Sequence, residues 1–139
     1  MPVDSSTFQI KTNGATDILD ITPPIERALQ GSKIVNGLLT VFVPGSTAGI
    51  TTIEYEPGVV NDFRKAIERL IPDTLQYDHD ARWGDGNGYS HVRAALLGPS
   101  LTVPVIDGDL QLGTWQQIIL VDFDNRARNR EISIQIVGE

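Results

Sequence analysis

Strand-like segments recur along this sequence without alternating regularly with helices, and this order limits the folds that the chain can adopt. Apolar and polar residues alternate from Phe8 to Thr12 and from Glu131 to Val137, whereas Leu38 to Val43 is continuously apolar or β-branched. The other strand-like segments are 18–21, 48–55, 101–105 and 118–123, and the helical patterns are confined to 22–31, 58–71 and 90–97. Many strands with two or three separate helices predict an α+β fold with a mainly antiparallel sheet.

The length, charge and composition narrow the class of protein. A chain of 139 residues predicts one compact domain spanning 1–139. The formal net charge of −7 disfavours binding to nucleic acid, because an acidic surface repels phosphate backbones. No stretch approaches the roughly 20 apolar residues of a membrane span, and the N-terminus lacks the pattern of a secretory signal. With no cysteine, which excludes disulfides and thiolate metal sites, we expect a cytoplasmic protein.

Both histidines of the chain, His79 and His91, lie within or just after a segment that has neither helical nor strand periodicity. Their polar neighbours are Tyr77, Asp78, Asp80, Asp85 and Asn87. Imidazole and carboxylate groups bind divalent metals and exchange protons near neutral pH, so this segment is the strongest candidate for a chemical site. The alternative is a solvated acidic loop with one histidine at a helix start, and composition alone favours that alternative.

The glycine-rich turn at 84–88 precedes a predicted helix and allows two interpretations. Its backbone N–H groups, together with the helix N-terminus, would suit a phosphate or carboxylate. The commoner case is a flexible turn that needs positive φ angles. Asp85 argues against an anion there unless a metal bridges the two charges.

Four polar residues beside strand-like segments are further candidates: Thr47, Glu54, Thr114 and Gln116. Glu54 could act as a base or a ligand, although a glutamate at a strand end is more often simply exposed.

Two sets of larger side chains also allow a functional and a structural interpretation. Trp83 and Trp115 could form the floor of a ligand pocket, but we expect Trp115 to lie partly in the core or in an interface. Arg126, Arg128 and Arg130 alternate and would share one strand face. That face would contact an anion or a subunit or, more commonly, be solvated and balance the surplus acid.

Several motifs, in the order in which they occur, resemble the YjbQ-like family, whose members are often called secondary thiamine-phosphate synthases. They are Tyr77-x-His79-Asp80, Ser90-His91-Val92-Arg93, Leu97-Gly98-Pro99-Ser100, Val103-Pro104-Val105, Gly108-x-Leu110, Leu112-Gly113-Thr114-Trp115-Gln116 and Gly138-Glu139. The resemblance covers nearly the whole chain and is densest from Val41 to Glu139.

The resemblance implies a compact α+β fold that assembles as a homotrimer, with a polar pocket at a subunit boundary. The implied catalytic residues are His79, His91, Asp85 and Glu54, and the two histidines would also be ligands of a divalent metal, Zn or Mg. The implied substrate-binding residues are Asn87, Thr47, Thr114 and Gln116. The implied activity joins a pyrimidine diphosphate to a thiazole phosphate with loss of pyrophosphate, a leaving group that a metal and anion donors would stabilise.

The sequence departs from the family pattern at two positions that bear on this activity. Gly45 stands where the motif Pro-His-Thr/Ser-Thr/Ser-Ala places a histidine, and Ile53 replaces the usual asparagine before Glu54. Loss of one imidazole would weaken metal binding or remove a proton carrier. We therefore keep two hypotheses: a metal-assisted transferase acting on phosphorylated small molecules, and a trimeric small-ligand-binding protein with weakened or no catalysis.

Overall fold

The computed structural model describes residues 2–139, which form eight strands and four helices. In chain order these are β1 (Val3–Thr12), β2 (Asp17–Asp20), α1 (Thr22–Ser32), β3 (Gly37–Phe42), β4 (Ala48–Ile53), α2 (Pro57–Leu70), α3 (Asp78–Trp83), α4 (Gly88–Leu97), β5 (Ser100–Ile106), β6 (Asp109–Leu110), β7 (Gln117–Asp122) and β8 (Arg128–Gly138).

The strands form two antiparallel sheets that pack against each other. The larger sheet has the order β1-β8-β3-β5-β6, and the smaller has the order β2-β7-β4. Every strand pair in both sheets is antiparallel. The predicted α+β fold with mainly antiparallel pairing is therefore confirmed.

Strand β7 is buried on both faces, and this explains its continuous apolar sequence. Ile118 and Leu120 face the core between the two sheets, which helix α1 closes with Ile25. Ile119 and Val121 face the opposite way, into a second core under α2 and α4. The molecule thus has three layers: the larger sheet, the smaller sheet, and the helices α2 and α4.

The dipeptide Asn13-Gly14 is typical of a β-hairpin turn, but no hairpin forms there. Strands β1 and β2 belong to different sheets, because β2 pairs with β7 and not with β1. Gly14 has φ +73, and a Cβ there would lie 2.4 Å from the carbonyl oxygen of Arg126. The glycine therefore serves a close crossing of two backbones, which local turn statistics do not distinguish from a hairpin.

Residues 73–88, the segment without periodicity that holds His79, contain α3, one helix more than expected. With six residues this helix shows too few apolar positions to display a helical period. It ends at Gly84, which has φ +69.

Among the described residues, no helix is long and apolar enough to cross a membrane.

Helix α2 begins at Pro57 because Glu56 caps it, a residue that the predicted segment 58–71 left out. The Glu56 carboxylate accepts hydrogen bonds of 2.8 Å from the backbone N–H groups of Gly58 and Val59. These two bonds hold the pKa of Glu56 below its ordinary value of 4.5. A lowered folded-state pKa stabilises the fold above the unfolded-state pKa, and this stabilisation is lost as the pH falls through the folded-state pKa.

We expect Glu56→Gln to lower the urea midpoint of unfolding at pH 7, because the amide removes the charge that the helix N-terminus favours. The difference from the unchanged protein should shrink as the pH falls below 4.5 and through the lowered folded-state pKa of Glu56, because the carboxylate becomes protonated. Glu68→Gln, an exposed substitution on the same helix, is the matched control and should change little at either pH. A Glu56→Gln effect of the same size at neutral and acidic pH would contradict the capping role.

Candidate functional site

Helices α3 and α4 bring the two histidines together. The ring centroids of His79 and His91 are 4.5 Å apart, and the ring planes are inclined by 39°. The helices approach closely because Gly88 has no side chain: a Cβ there would lie 2.7 Å from the Tyr77 Cβ and 3.0 Å from Asp80 Oδ1. The histidine cluster is therefore one local site made by two consecutive helices.

The Nδ1 atom of His79 lies near two carboxylates without a hydrogen-bond partner. It is 3.4 Å from Asp85 Oδ1 and 3.6 Å from Asp80 Oδ1, and it is buried and unpaired within residues 2–139. The three residues offer ligand atoms that lie within 4.8 Å of one another. One imidazole nitrogen and two carboxylate oxygens form a donor set that fits a divalent cation, and His91 is not one of the three.

Backbone N–H groups hold the two carboxylates in place. Gly88 N–H donates to Asp80 Oδ1 at 2.8 Å, and Asn87 N–H donates to Asp85 Oδ1 at 3.2 Å. These N–H groups belong to the glycine-rich turn that the sequence proposed as an anion site. Because they already bind carboxylates, the turn orients the acidic residues and does not offer these donors to an external anion.

The side chain of Asn87 is turned into the protein. It is buried, and its amide oxygen accepts hydrogen bonds from the Ser90 hydroxyl and from the backbone N–H of Asn125. Asn87 therefore links the start of α4 to the loop after β7 and holds α4, which carries His91, in place.

Thr47 belongs to a buried network of charges between the ends of β7 and β8. Arg130 donates to Asp122 through Nε at 2.8 Å and Nη2 at 3.0 Å, and Arg128 donates to Asp124 through Nε at 3.0 Å. The Thr47 hydroxyl donates to Asp124 at 2.9 Å and accepts from Arg130 Nη2 at 2.7 Å. Two fully buried carboxylates are thus balanced by two guanidinium groups.

Arg128 and Arg130 do not form the solvated strand face that their alternation favoured. Arg130 is only 9% exposed, whereas Arg126 remains exposed in the turn. A sequence signal for the pairing existed: Asp122-x-Asp124 and Arg128-x-Arg130 flank a short turn and have the same alternation. It was missed because alternating charges on strands are more often solvated.

Asp124 is held in its ionised form. Burial raises the pKa of its carboxyl, but hydrogen bonds from Thr47 and Arg128, the Arg128 charge and the Arg126 N–H outweigh burial. The net pKa lies below the ordinary value of 3.8. Asp124 is therefore an ion-pair partner at neutral pH and not a proton carrier.

Glu54 lies at the opposite end of the smaller sheet from the histidines. Strand β4 begins with Ala48 opposite Asp122 and ends with Ile53 opposite Gln117. The strand between Thr47 and Glu54 spans about 20 Å at the usual rise per residue. Glu54 is exposed at that far end.

Thr114 and Gln116 also lie at this far end. Gln116 donates to the Thr52 hydroxyl at 3.1 Å, and both residues line a cleft of about 440 Å³ beside α1. Trp115, expected partly in the core or an interface, is 73% exposed, and Trp83 is 66% exposed. Within one chain, the residues of the predicted pocket therefore form two groups at opposite ends of the smaller sheet. The histidine end has His79 and His91, and the Thr114 end has Glu54, Thr114 and Gln116.

Comparison with known proteins shows the family. Residues 6–139 match the family described as UPF0047 protein YjbQ-like. The chain belongs to this family. A UPF0047 protein of Methanothermobacter thermautotrophicus is 38% identical over 139 residues, which are 100% of this chain and 95% of that relative.

Two solved structures share the YjbQ-like fold. A protein of Aeropyrum pernix K1 is similar with a TM-score of 0.91 and 34% identity, covering 98% of this chain and 99% of that one. A YbjQ-like protein of Sulfolobus solfataricus P2 is similar with a TM-score of 0.89 and 32% identity, covering 99% and 100%. The resemblance seen in the histidine and Leu-Gly-Thr-Trp-Gln motifs is thus confirmed.

In this member of the YjbQ-like family, Gly45 lies beside the histidine site. Gly45 and His91 line the same cavity of about 210 Å³, together with Ser46 and Ala48. Gly45 has φ +125, a conformation that favours glycine. The position at which the motif has a histidine is therefore adjacent to His91, and here it carries no side chain.

We expect Thr47→Val to destabilise the protein by about 1–3 kcal/mol, because it leaves Asp124 and Arg130 each without a buried hydrogen bond. Thr74→Val, an exposed substitution in the segment after α2, is the control and should change the free energy of unfolding by less than about 0.5 kcal/mol. Urea unfolding at neutral pH measures both values. Equal effects of the two substitutions would show that the Thr47 hydroxyl contributes nothing specific.

Proposed function

We propose that the protein is a homotrimeric, metal-assisted transferase that acts on phosphorylated small molecules. The observation that carries the proposal is the buried, unpaired Nδ1 of His79 beside Asp80 and Asp85. A buried polar atom without a partner is costly, so its retention calls for an explanation. A bound cation supplies one, because it would satisfy the nitrogen and both carboxylates together.

His79, Asp80 and Asp85 would hold the metal. The mixed nitrogen and oxygen donors favour Zn over Mg, because Mg prefers an all-oxygen shell. When bound, the ion would supply Lewis-acid stabilisation of negative charge on a phosphate or diphosphate. His91, which packs against His79 with its ring tilted and lines the Gly45 cavity, would exchange a proton with the substrate.

The reaction class suggested by the resemblance is the joining of a pyrimidine diphosphate to a thiazole phosphate. The thiazole nitrogen would form a bond to the methylene carbon of the pyrimidine. The bond from that carbon to the diphosphate oxygen would break, and pyrophosphate would leave with the electron pair. The chain carries a net charge of −7 and Asp80 and Asp85 at the site, so substrates with this much negative charge need local cationic partners.

A second function is favoured by Gly45. Without a histidine at this position, the site keeps a cavity but has one proton carrier fewer than the family motif. The corresponding hypothesis is a trimeric protein that binds a phosphorylated ligand and turns it over slowly or not at all.

The trimer is supported by the outer face of the larger sheet, which no layer of the chain covers. Across β1, β8, β3 and β5 this face has three rows without a charged residue: Val3, Val137, Leu38 and Pro104; Ser5, Gln135, Thr40 and Thr102; Thr7, Ser133, Phe42 and Ser100. Leu38 is 54% exposed and Phe42 is 42% exposed. Exposed apolar side chains on a flat, uncharged sheet are typical of a protein interface.

A trimer would also explain the division of the predicted pocket. The Thr114 end of one copy could complete the histidine end of its neighbour, which agrees with a pocket at a subunit boundary. Glu54 and Gln116 would then act on a substrate held at the neighbour's His79 and His91.

We expect the metal-stripped protein to bind Zn²⁺ and, when loaded, to release pyrophosphate from the pyrimidine diphosphate and thiazole phosphate pair. His79→Ala and Asp85→Asn should each weaken Zn²⁺ affinity by about tenfold or more and reduce turnover at least as much. Asp78→Asn, on the same helix but outside the ligand set, is the control. Calorimetry measures binding, and a coupled pyrophosphate assay measures turnover.

The outcomes separate the two functions. Metal binding without pyrophosphate release would contradict the transferase and favour the binding protein. Zn²⁺ binding that is equal in His79→Ala and Asp78→Asn would contradict the metal site itself.

We expect sedimentation at micromolar concentration to give a mass three times the 15.2 kDa of the chain. Leu38→Glu should convert the trimer to monomer, because it places a charge in the uncharged face. Leu70→Glu, at an exposed leucine of α2, is the control and should remain trimeric. A monomer for the unchanged protein would contradict the assembly.

Mixed trimers of His79→Ala and Thr114→Ala should regain turnover that neither variant has alone.

A further inference from the structure

Arg130 has one guanidinium nitrogen that the buried network does not use. Its Nε and Nη2 bind Asp122 and Thr47, whereas Nη1 makes no hydrogen bond in the described part of the chain. The side chain is only 10% exposed. Nη1 is not one of the buried polar atoms that lack a partner, so it reaches solvent and is open to a ligand.

Gly45 opens the space next to this nitrogen. A Cβ on Gly45 would lie 3.1 Å from Arg130 Nη1, and outside residues 44–46 no other heavy atom of the described chain lies within 4 Å of that position. Any other residue at 45 would place its side chain against the guanidinium. The glycine therefore leaves a gap whose nearest side-chain neighbour is a cationic donor.

Gly45 also lines a cavity with further polar groups. The cavity of about 210 Å³ is lined by Gly45, Ser46, Ala48 and His91, with Ala94, Ala95 and Pro99 behind them. Its volume is well above the roughly 10–15 Å³ that one water needs and below the roughly 300 Å³ of a site for a whole drug-sized ligand. A space of this size accommodates a single charged group of a larger molecule.

We propose that Gly45, Arg130 and His91 form an anion subsite that takes the phosphoryl group of a small phosphorylated ligand. Arg130 Nη1 donates to one phosphoryl oxygen, and the His91 imidazole and the Ser46 hydroxyl lie at the cavity wall to donate to others. The subsite deepens the proposed function and rests on it only in the choice of a phosphoryl group. It requires no metal.

The surrounding charges set the strength of the subsite. Asp122 and Asp124 already balance Arg130 and Arg128, so no excess positive charge is present, and binding depends on directed hydrogen bonds. The subsite should therefore prefer an anion with several acceptor oxygens over a carboxylate with two. The turn at 84–88 was the anion site considered from the sequence, but its Asn87 and Gly88 N–H groups already bind aspartates. The subsite at Gly45 is therefore proposed in its place.

The test is calorimetric titration of the full-length, EDTA-treated protein with inorganic phosphate, with acetate as the comparison anion. Gly45→Ala places a methyl group against Nη1 at a position with φ +125 and keeps both side chains of the Arg130–Asp122 pair. We expect it to weaken phosphate binding about tenfold or more, which corresponds to loss of a charge-assisted hydrogen bond. Gly108→Ala is the matched control: it strains a glycine with φ +84, has open space around its new methyl group, and should leave phosphate binding unchanged.

Arg130→Lys is a second variant, which keeps a cation opposite Asp122 but removes Nη1, and it should weaken phosphate binding in the same way. Equal phosphate binding by Gly45→Ala and the unchanged protein would overturn the subsite, as would absence of saturable binding or acetate binding as tight as phosphate. Phosphate binding with the expected variant effects, in a protein that fails to bind Zn²⁺, would support the subsite and contradict the metal-assisted function. Zn²⁺ binding without phosphate binding would contradict the subsite and leave the metal site supported.

Discussion

The buried pairing of Asp122 and Asp124 with Arg128 and Arg130 is the constraint on which the rest of the molecule depends. It lies where the chain passes from the smaller sheet to the larger one, so it fixes how the two sheets meet. Removing one partner would leave an uncompensated charge in the interior, which is far more costly than the pair itself is stabilising. Thr47 adds the segment before β4 to the same network, and that segment carries Gly45.

The candidate site lies next to this network, and the charged groups on its two sides have opposite sign. On one side, His79 lies near Asp80 and Asp85, whose positions are fixed by N–H groups of the turn before α4. On the other side, the free Nη1 of Arg130 lies behind Gly45. His91 contacts the first side through its tilted ring and the second through the cavity that it lines. His91 therefore lies next to both the His79 cluster and the cavity that Gly45 lines.

The YjbQ-like fold separates residues that the sequence motifs suggested would converge. Thr47 and Glu54 belong to opposite ends of the same extended strand, and extended backbone does not bring its two ends together. A pocket of the predicted composition therefore does not form within one chain. The uncharged outer face of the larger sheet provides a surface on which copies could associate.

The sequence by itself determined the α+β class, most element positions, the family and the histidine segment, because periodicity and short motifs are local properties. It did not reveal α3, whose few residues show no period, or the separate sheets of β1 and β2, whose turn resembles a hairpin. Only the tertiary structure decided that Arg128 and Arg130 point inward to Asp122 and Asp124, and that Gly45 opens a gap beside Arg130. The two Asp–Arg pairs lie only four and eight residues apart in the chain, but the burial of their side chains follows from how the two sheets pack. The approach of Gly45 to Arg130 joins residues that are distant in the chain, which no local pattern encodes.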